Sequence, residues 1–540
     1  MSISYVKLRR DLDYSDQKYI FLEDYLRPAS ITEARKLTEK VFYENKDFVA
    51  NYDYAGYKIT WSWYEKIFQI YLSFLEIKPL IEKLESIHPS EIILIDIPNN
   101  YAKIIEKYFD HVHQKKQIKL FSYFKEFIHN SILMLFNIVS LIYFSFKRNP
   151  CTAIRTEDLV FQGTKSDFRL NHLYIKFAEN NIQYIEFIRS RSLKVFFTNI
   201  FKRRRFGIYY TSIVYFINLF HKKSTYKDAP NNFFESILFD FHNENEVLIK
   251  SMPLMKMIFK VTNIKDFILI SFNHRGAHLS FAAKSLNIKT IGIMHGLQQK
   301  EFAVYEFMEG YSEEKKIGCD VYGVWSPHYL DYFKKFSKIL NRDNIFYSGL
   351  LRPVENFKTI NLYQRTSLNK IKVLIISEPL ISAAEIIPFL KQLLKHKDIE
   401  VAIKVRPMVR DVYYEDLKIL LPQSLNLKVF NGKIEDIAHE YDVFLGSNST
   451  AVIEASLFGK ISVLLDSQKF GDYFEMDSLI PRQLLLVKNP KNLYENIVNR
   501  VNNENSLGTI HKIRHRFFGD NLDGTQWIIS QINQDKHKGL

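Results

Sequence analysis

Cysteine is nearly absent from this chain of 540 residues, which contains only Cys151 and Cys319. The two lie far apart in the sequence and form no ligand-spaced group, so the sequence supports neither a disulfide framework nor a zinc site. The first residues, MSISYVKLRRDLDYSDQKY, also lack the apolar stretch of a secretory signal. Both absences favour a protein that works in the reducing cytoplasm.

Three common ligand-binding motifs are missing as well. No segment matches G-x-x-x-x-G-K-[ST], which counts against an ATP-type phosphate loop, and no G-x-G-x-x-G follows a strand, which counts against a nicotinamide enzyme. No D-x-D would clearly hold a catalytic metal. We therefore expect no cofactor and no metal, so the charge of a leaving phosphate must be stabilised by protein donors and a helix dipole.

Positive charge and aromatic residues are abundant. The formal net charge is +14 and the isoelectric point is near 9.2, which together imply an anionic partner. Nucleic acid, an anionic membrane surface and a phosphorylated substrate all fit this charge. The hydrophobic content of 46% is that of a globular protein with a real core, and the length suits about two to four domains.

Residues 127–146, FIHNSILMLFNIVSLIYFSF, form the most apolar run of the chain and are long enough to cross a bilayer. His129, Asn130 and Asn137 argue against a simple span, and basic residues flank the run on both sides. Three interpretations stay open: a buried core helix, a helix that lies in the membrane interface, and a true transmembrane span.

A second membrane-like segment covers residues 186–223, where basic side chains alternate with Phe, Tyr and Ile. Basic residues beside aromatic and aliphatic ones suit an anionic membrane surface. The same composition suits single-stranded nucleic acid, or a solvated basic helix face whose apolar side packs on the core.

Strands alternate with helices along most of the remaining chain, which indicates parallel sheets. The predicted strands are short apolar runs at 91–97, 267–272, 289–294, 320–325, 344–348, 372–376, 400–405, 427–430, 443–445 and 461–465. We predict an N-terminal Rossmann-like domain (1–354), a polar linker (355–370), a C-terminal Rossmann-like domain (371–510) and a helical tail (511–540). A helical, aromatic and basic, membrane-associating insertion is predicted at about 105–230.

The β-turn-α-β segment at residues 441–466 is the most informative of these units. A strand runs into the small polar turn Gly446–Thr450, a helix opens at once with Glu454 in its early turns, and Gly459 closes that helix. Free backbone N–H groups and hydroxyls at a helix N-terminus suit a phosphate. The alternative is a plain βαβ unit in which a serine or threonine only caps the helix.

Polar candidates lie at the ends of five of the predicted strands, and ligands of open α/β sheets bind at such carboxyl ends. They are Asp96, His274-Arg275-Gly276, His295-Gly296, Lys404-Val405-Arg406-Pro407 and Ser447–Thr450. Lys404 and Arg406 supply positive charge for a phosphate or a sugar carboxylate. The hydroxyls of the 447–450 turn supply neutral donors, and Glu454 suits a ribose diol.

The order of these motifs resembles that of glycosyltransferases with the two-Rossmann GT-B fold, in the style of the sialyl-, Kdo- and CDP-glycerol-type transferases of bacterial surface polysaccharides. In those families a strand ending in Lys-x-His-Pro and a later Ser-Ser/Thr-x-x-x-Glu segment hold the donor nucleotide. The matching segments here are 404–407 and 449–454, with TIGIMHG (290–296), DVYGVW (320–325) and YSGLLR (347–352) in the N-terminal half. The resemblance covers roughly 265–470. Arg406 stands in place of the histidine, and it binds phosphate but cannot act as a general acid near neutral pH.

The resemblance implies an α/β GT-B fold, with two Rossmann-like domains that face an interdomain cleft. It implies a metal-independent glycosyltransferase that moves a sugar from a nucleotide-activated donor to a lipid-linked or growing surface glycan, such as capsule, O-antigen or lipooligosaccharide. The implied donor-binding residues are Lys404, Arg406, Ser447, Ser449, Thr450 and Glu454. Other implied cleft residues are His274, Arg275, Gly296 and Arg352. Asp96 and His295 are the two candidates for the base that activates the acceptor hydroxyl.

Two other functions stay open on the sequence: a CDP-polyol phosphotransferase of the same fold, and a non-enzymatic protein that binds membrane or nucleic acid through 186–223. For the transferase we expect a nucleotide-sugar donor, a lipid-linked glycan acceptor and an anionic membrane surface as partners, and no nucleic acid. The expected location is the cytoplasm, with the protein peripheral on the inner face of the cell membrane.

Overall fold

A computed structural model shows an α/β protein built on three parallel sheets and one short antiparallel hairpin. The structure describes residues 3–7, 19–114, 120–146, 151–157, 167–190, 193–202, 206–227, 232–270, 276–300, 304–352, 369–378, 381, 383–405, 412–421, 427–467, 471–479, 486–503, 506–521 and 523–533.

The first sheet lies within residues 3–114 and has the parallel order β2-β1-β5-β6. The strands of this region, with the β3–β4 hairpin, are β1 (Ile3–Lys7), β2 (Tyr19–Phe21), β3 (Asp53–Tyr54), β4 (Tyr57–Lys58), β5 (Glu91–Ile95) and β6 (Val112–Gln114). The helices are α1 (Leu22–Tyr25), α2 (Ile31–Glu44), α3 (Lys46–Asn51), α4 (Tyr64–Ile87), α5 (Asn99–Tyr108) and α6 (Leu120–Ser145). The prediction of one Rossmann-like domain over 1–354 did not include this separate sheet.

The second sheet has seven strands, all parallel, in the order β13-β12-β11-β10-β7-β8-β9. They are β7 (Cys151–Glu157), β8 (Tyr184–Arg189), β9 (Gly207–Ile208), β10 (Ile264–Leu269), β11 (Lys289–Ile293), β12 (Val321–Val324) and β13 (Ile345–Tyr347). The helices around it are α7 (Asn171–Glu179), α8 (Leu193–Phe197), α9 (Tyr210–Phe220), α10 (Phe233–Phe239), α11 (His242–Val261), α12 (Ala277–Lys284), α13 (Val304–Phe307) and α14 (Pro327–Phe336). The strand order reverses between β7 and β10, so their carboxyl ends form a topological switch point.

The predicted insertion, about 105–230, overlaps the second sheet. It includes β7, β8 and β9, and β7 is the strand at which the order of that sheet reverses. The helices α6, α7, α8 and α9 of the described part of this range match the helical character that was predicted. The strand β7 was missed because its sequence, CTAIRTE, is half polar, yet all seven of its residues are buried.

The long helix α6 contains the predicted apolar run but is not a core helix. Only 17% of its most apolar window, within Tyr123–Ser145, is buried, so the buried-core interpretation of this run is wrong. The helix has the length and composition of a membrane span, and along one side it packs against α9 and α11.

The third sheet has six parallel strands in the order β16-β15-β14-β17-β18-β19. They are β14 (Ile371–Ile376), β15 (Ile399–Lys404), β16 (Lys428–Phe430), β17 (Val443–Gly446), β18 (Ile461–Leu465) and β19 (Leu486–Val487). The helices that follow β14 are α15 (Ala383–Leu393), α16 (Val412–Leu420), α17 (Thr450–Glu454), α18 (Met476–Leu479), α19 (Leu493–Asn502), α20 (Ser506–Phe518) and α21 (Gly524–Asn533). Its switch point lies between β14 and β17.

Short 3₁₀ and π turns complete the described helical structure. The 3₁₀ turns are Ile59–Trp63, Phe168–Leu170, Arg342–Asn344, Ala438–Glu440, Ala455–Phe458 and Pro490–Asn492, and the π turn is Thr198–Lys202.

The last two helices return from the third sheet to the second. Phe518 of α20 stacks on Trp325, which follows β12, with ring centroids 5.9 Å apart. Ile528 and Ile529 of α21 pack in one buried cluster with strand residues such as Ile291 of the second sheet. The third sheet has the strand order 3-2-1-4-5-6, and the second sheet has the same order with a seventh strand at its edge. Two such sheets, joined in this way, confirm the predicted α/β fold with two Rossmann-like domains.

Candidate functional site

The polar turn at the end of β17 forms as the sequence predicted. Ser449 is the N-cap of α17, and its Oγ accepts the N–H of Ala451 at 3.4 Å. The helical segment ends at Gly459, which adopts a left-handed φ of +67°. Glycine takes this conformation at little cost, so it ends the helix where the sequence predicted.

The backbone donors of that turn are bonded to a carboxylate of the protein itself. Glu378, just beyond β14, accepts the N–H groups of Ser447 at 2.7 Å, Asn448 at 3.2 Å and Ser449 at 3.1 Å. Gly446 allows this approach, because a Cβ there would lie 2.6 Å from Glu378 Oε1. The prediction that these N–H groups are free for a phosphate is therefore wrong: an internal anion occupies them.

Sequence reasoning missed Glu378 although a signal was present. The residue is the second one after the predicted strand 372–376, at the same sheet edge as the turn. Its side chain is buried and crosses the switch point from β14 to β17. The carboxylate therefore stabilises the turn in the way that a bound anion stabilises a helix N-terminus.

The other predicted donor-side residues lie around this switch point. Lys404 ends β15 and is buried, and its Nζ donates to the carbonyl of Val405 at 2.6 Å. The β15 end is joined to the β14 end, because the N–H of Ser377 donates to the carbonyl of Lys404 at 3.0 Å. Ser447 Oγ is buried and has no hydrogen-bond partner among the residues that the structure describes. Arg406 lies outside the described residues.

A cluster of buried charges lies at the end of β7, at the switch point of the second sheet. Arg155 donates to Glu157 at 2.9 Å, and Arg189 lies 3.7 Å from the same carboxylate. Arg169 binds Asp167 through two hydrogen bonds, from Nε at 2.9 Å and from an Nη at 2.6 Å. Among the described residues, three guanidinium groups thus face two carboxylates at this switch point.

His295, predicted as a candidate base, follows β11 at the same edge of the second sheet. Its Nδ1 lies 3.2 Å from the carbonyl of Ile270, so Nδ1 carries the proton and Nε2 is the basic nitrogen. Burial lowers the pKa of His295 to about 4, and the charges of Arg169 and Arg155 add to this effect. The imidazole is therefore neutral at physiological pH and able to accept a proton.

Two direct contacts join the second and third sheets at this point. The N–H of Leu297, two residues after His295, donates to Thr450 Oγ1 at 3.3 Å. Arg352 forms an ion pair of 3.4 Å with Glu454. The structure thus brings the loop that carries His295 into contact with Thr450, and Arg352 into contact with Glu454. All four are predicted site residues.

Gly296 and Glu454 both lie at this junction. A Cβ on Gly296 would lie 3.9 Å from Thr450 Oγ1, an ordinary contact distance, so the loop runs beside α17. Burial raises the pKa of Glu454 above its ordinary value, Arg352 opposes the rise and Glu435 adds to it. The carboxyl group of Glu454 is thus partly shielded from solvent and faces the guanidinium group of Arg352.

The second candidate base, Asp96, lies elsewhere. It follows β5 of the first sheet, is exposed, and has a left-handed φ of +56°. It therefore belongs to a different sheet from His295. The predicted cleft residues His274 and Arg275 lie outside the described residues.

His278, on α12 beside the arginine cluster, gives the protein a predicted sensitivity to acid. Burial lowers the pKa of His278 to about 3, and Arg155 adds to this effect. The unfolded chain binds a proton below about pH 6.5 while folded His278 does not, so stability is lost as the pH falls from about 6.5 towards 3. We expect His278 to account for about 2 kcal/mol of the unfolding free energy lost between about pH 7 and pH 5.

Urea unfolding at the two pH values measures this loss. The variant His278→Phe keeps a ring against Tyr210, whose centroid lies 5.5 Å away, and removes the titrating group. Its stability should fall less with acid than that of the wild type. An identical pH dependence in the two proteins would contradict the prediction.

Comparison with known proteins gives a similarity in structure alone. No protein-family model matches the sequence, and a search of curated proteins finds no match.

One similar solved structure is an S. aureus MnaA–UDP co-structure, with a TM-score of 0.44 and 10% sequence identity over 72% of this chain and 97% of that chain. UDP-GlcNAc 2-epimerase from Neisseria meningitidis bound to UDP-GlcNAc has a TM-score of 0.44 and 11% identity over 71% of this chain and 98% of that chain. Acinetobacter baumannii MurG has a TM-score of 0.41 and 12% identity over 71% of this chain and 100% of that chain. Similarity at this level transfers neither a substrate nor a reaction to this chain.

Proposed function

We propose that this protein is a metal-independent glycosyltransferase, which takes a sugar from a nucleotide-activated donor and transfers it to a surface glycan. One observation carries the proposal: the loop that holds neutral His295 touches the N-terminus of α17 through Leu297 and Thr450. A proton acceptor on one Rossmann-like sheet thus lies beside the predicted donor segment of the other. Ligands of such sheets bind at these switch points.

The donor nucleotide is assigned to the carboxyl ends of β14, β15 and β17. Because Glu378 occupies the N–H groups of residues 447–449, the donor phosphates are not assigned to those groups. The buried hydroxyl of Ser447 and the carboxylate of Glu454 remain as polar groups for the nucleotide. The guanidinium groups of Arg155 and Arg169, whose charges also act on His295, are assigned to stabilise the leaving phosphate.

His295 is the preferred base. In the proposed reaction the acceptor hydroxyl attacks the anomeric carbon, the bond from that carbon to the donor phosphate breaks, and the nucleotide leaves with the bonding electrons. The hydroxyl proton passes to Nε2 of His295, which has a pKa of about 4 and is unprotonated at neutral pH. The exposed position of Asp96 on another sheet makes it the second candidate.

The finer assignment follows from the resemblance stated above. We propose a lipid-linked or growing surface glycan as the acceptor, with the sugar supplied by a nucleotide sugar. Product analysis separates this reaction from that of a CDP-polyol phosphotransferase, because only the phosphotransferase adds phosphorus to its acceptor.

A thermal-shift screen of CMP, CDP, UDP, GDP and their sugars tests donor binding. A true donor at about 100 times its dissociation constant should stabilise the wild-type protein by about 2.7 kcal/mol. Glu454→Ala should weaken donor binding about ten- to a hundredfold, because a hydrogen bond to a charged group contributes about 1.5–3 kcal/mol. The matched control is Glu495→Ala, which removes an exposed carboxylate of the same domain and should leave donor binding unchanged.

Arg352→Ala separates a direct ribose contact from the ion pair. It removes the partner of Glu454 but leaves the carboxylate in place. An equal loss of affinity in both variants would contradict a direct contact of Glu454 with the donor. Absence of stabilisation by every nucleotide and nucleotide sugar would contradict the proposed function as a whole.

A further inference from the structure

Two polar side chains of α6, those of Asn137 and Ser140, point into the protein. Asn137 is buried, donates to the carbonyl of Tyr209 at 3.1 Å and to Ser212 Oγ at 3.1 Å, and accepts the N–H of Tyr209 at 2.7 Å. Ser140, one turn further along, is buried on the same side, as is Leu133. The inward stripe of this helix therefore carries its buried polar groups, while Asn130 and Ser131 bond to carbonyls of the helix itself.

The opposite face of α6 is apolar and exposed. We call it the outward face, and its exposed residues are Phe127, Ile128, Leu135, Ile138, Val139, Ile142, Tyr143 and Phe146. No charged residue occurs between the first and the last of them, which is a helical length of about 28 Å. A helix with polar groups inside and apolar groups outside has the arrangement of a lipid-facing element, since polar side chains in membranes face the protein interior.

Neighbouring aromatic side chains extend the outward face. Phe206 is exposed and lies 6.4 Å from Tyr143 between ring centroids. Phe201 and Phe220, on the segments beside α6, are 76% and 82% exposed. Contiguous exposed apolar surface of this extent marks an interaction site in a folded protein.

Lysines border this surface. Lys125 lies on the first turns of α6, Lys194 on α8, and Lys222 and Lys223 directly after α9, and all four side chains are exposed. Their charge complements anionic lipid headgroups. A second copy of this chain docked on the same face would place these lysines near each other, so the charge favours lipid.

We propose that the outward face lies flat in the interface of an anionic bilayer, which goes beyond the proposed function and does not depend on it. The helix lies flat because the opposite side is attached to the protein body along its length. His129 lies 3.3 Å from Ser190 near one end, Asn137 binds the start of α9 in the middle, and Phe144 packs on the core near the other end. Such a helix buries its apolar face by about 5–10 Å at the headgroup boundary.

Flotation of the full chain with vesicles tests the proposal. Wild-type protein should float with vesicles of phosphatidylcholine and phosphatidylglycerol, and less with phosphatidylcholine alone. The double variant Val139→Glu/Ile142→Glu should bind the mixed vesicles at least about tenfold more weakly, because it places two charges in the apolar interface. Both side chains are exposed, so the variant should keep the wild-type melting temperature.

The matched control is Ile419→Glu, which adds a charge at an exposed isoleucine of α16 in the third sheet's domain and should float like the wild type. Lys222→Glu/Lys223→Glu should lower binding to the mixed vesicles only.

Flotation of the Val139→Glu/Ile142→Glu variant at the wild-type level would overturn the proposal. Self-association of the wild type that the double variant abolishes would also overturn it. A membrane-bound protein that resists alkaline carbonate extraction would overturn it too, because a spanning helix gives that result. Donor binding is measured without vesicles, so failure here leaves the proposed function standing.

Discussion

Replacing His295 by asparagine is expected to lower the turnover number by about two to four orders of magnitude and to leave donor affinity nearly unchanged. The physical reason is that Nε2 of His295 is the proton acceptor of the proposed reaction and does not hold the donor. Asparagine keeps a donor for the carbonyl of Ile270, which the Nδ1 of His295 contacts at 3.2 Å, and removes the basic nitrogen. Steady-state kinetics with the donor found by thermal shift measures the effect.

The pH profile gives this prediction a second readout. With a pKa of about 4, His295 stays unprotonated from about pH 7 down to about pH 5, so kcat should be nearly flat over that range as far as the fold tolerates the acid. The control His113→Asn makes the same exchange at an exposed histidine of the first sheet and should keep wild-type turnover. Full activity of His295→Asn together with loss of activity in Asp96→Asn would assign the base to Asp96.

Replacing Glu378 by glutamine is expected to destabilise the protein by about 2–4 kcal/mol. The carboxylate accepts three backbone N–H groups at the start of α17, and each such charge-assisted bond is stronger than a neutral one. An amide keeps one acceptor oxygen and turns its NH₂ group towards a backbone donor, which leaves buried N–H groups unpaired. Urea unfolding at neutral pH measures the loss.

Two further measurements identify the role of Glu378. Glu495→Gln, at an exposed carboxylate of the same domain, should leave the unfolding free energy within about 0.5 kcal/mol of the wild type. A Glu378→Gln protein of normal stability that binds the donor more tightly would contradict the structural role. That result would mean that the carboxylate occupies the place of a donor phosphate.

The third sheet could be predicted from sequence because its strands are short, continuous apolar runs between turns. Ile371–Ile376, Val443–Gly446 and Ile461–Leu465 lie within one or two residues of their predicted bounds. Strands buried on both faces by helices have this composition, so their signal is strong.

The site could be predicted only in part because its decisive contacts join distant residues. Glu378 reaches a turn about 70 residues further along the chain, and Arg155 is buried in a strand through its pairing with Glu157. A buried ion pair makes charged residues compatible with a core strand, and no local pattern reveals it. The capping role of Ser449 and the left-handed Gly459 were predictable because both depend on neighbouring residues alone.

Because α21 packs on the second sheet, that domain can complete its folding only after the end of the chain has been synthesised. Lys289 of β11 donates to the carbonyl of Gln531, so the two contacting segments are separated by the whole third sheet. During synthesis, β7–β13 are made long before Gly524–Asn533. The isoleucine-rich face of these strands therefore stays exposed until that helix has been synthesised and packs on it. Domains usually fold in order as they emerge, and uncovered apolar surface is a hazard in that interval. The two Rossmann-like halves are therefore coupled in folding as well as at the site, because the second sheet is not fully covered until the third has been synthesised.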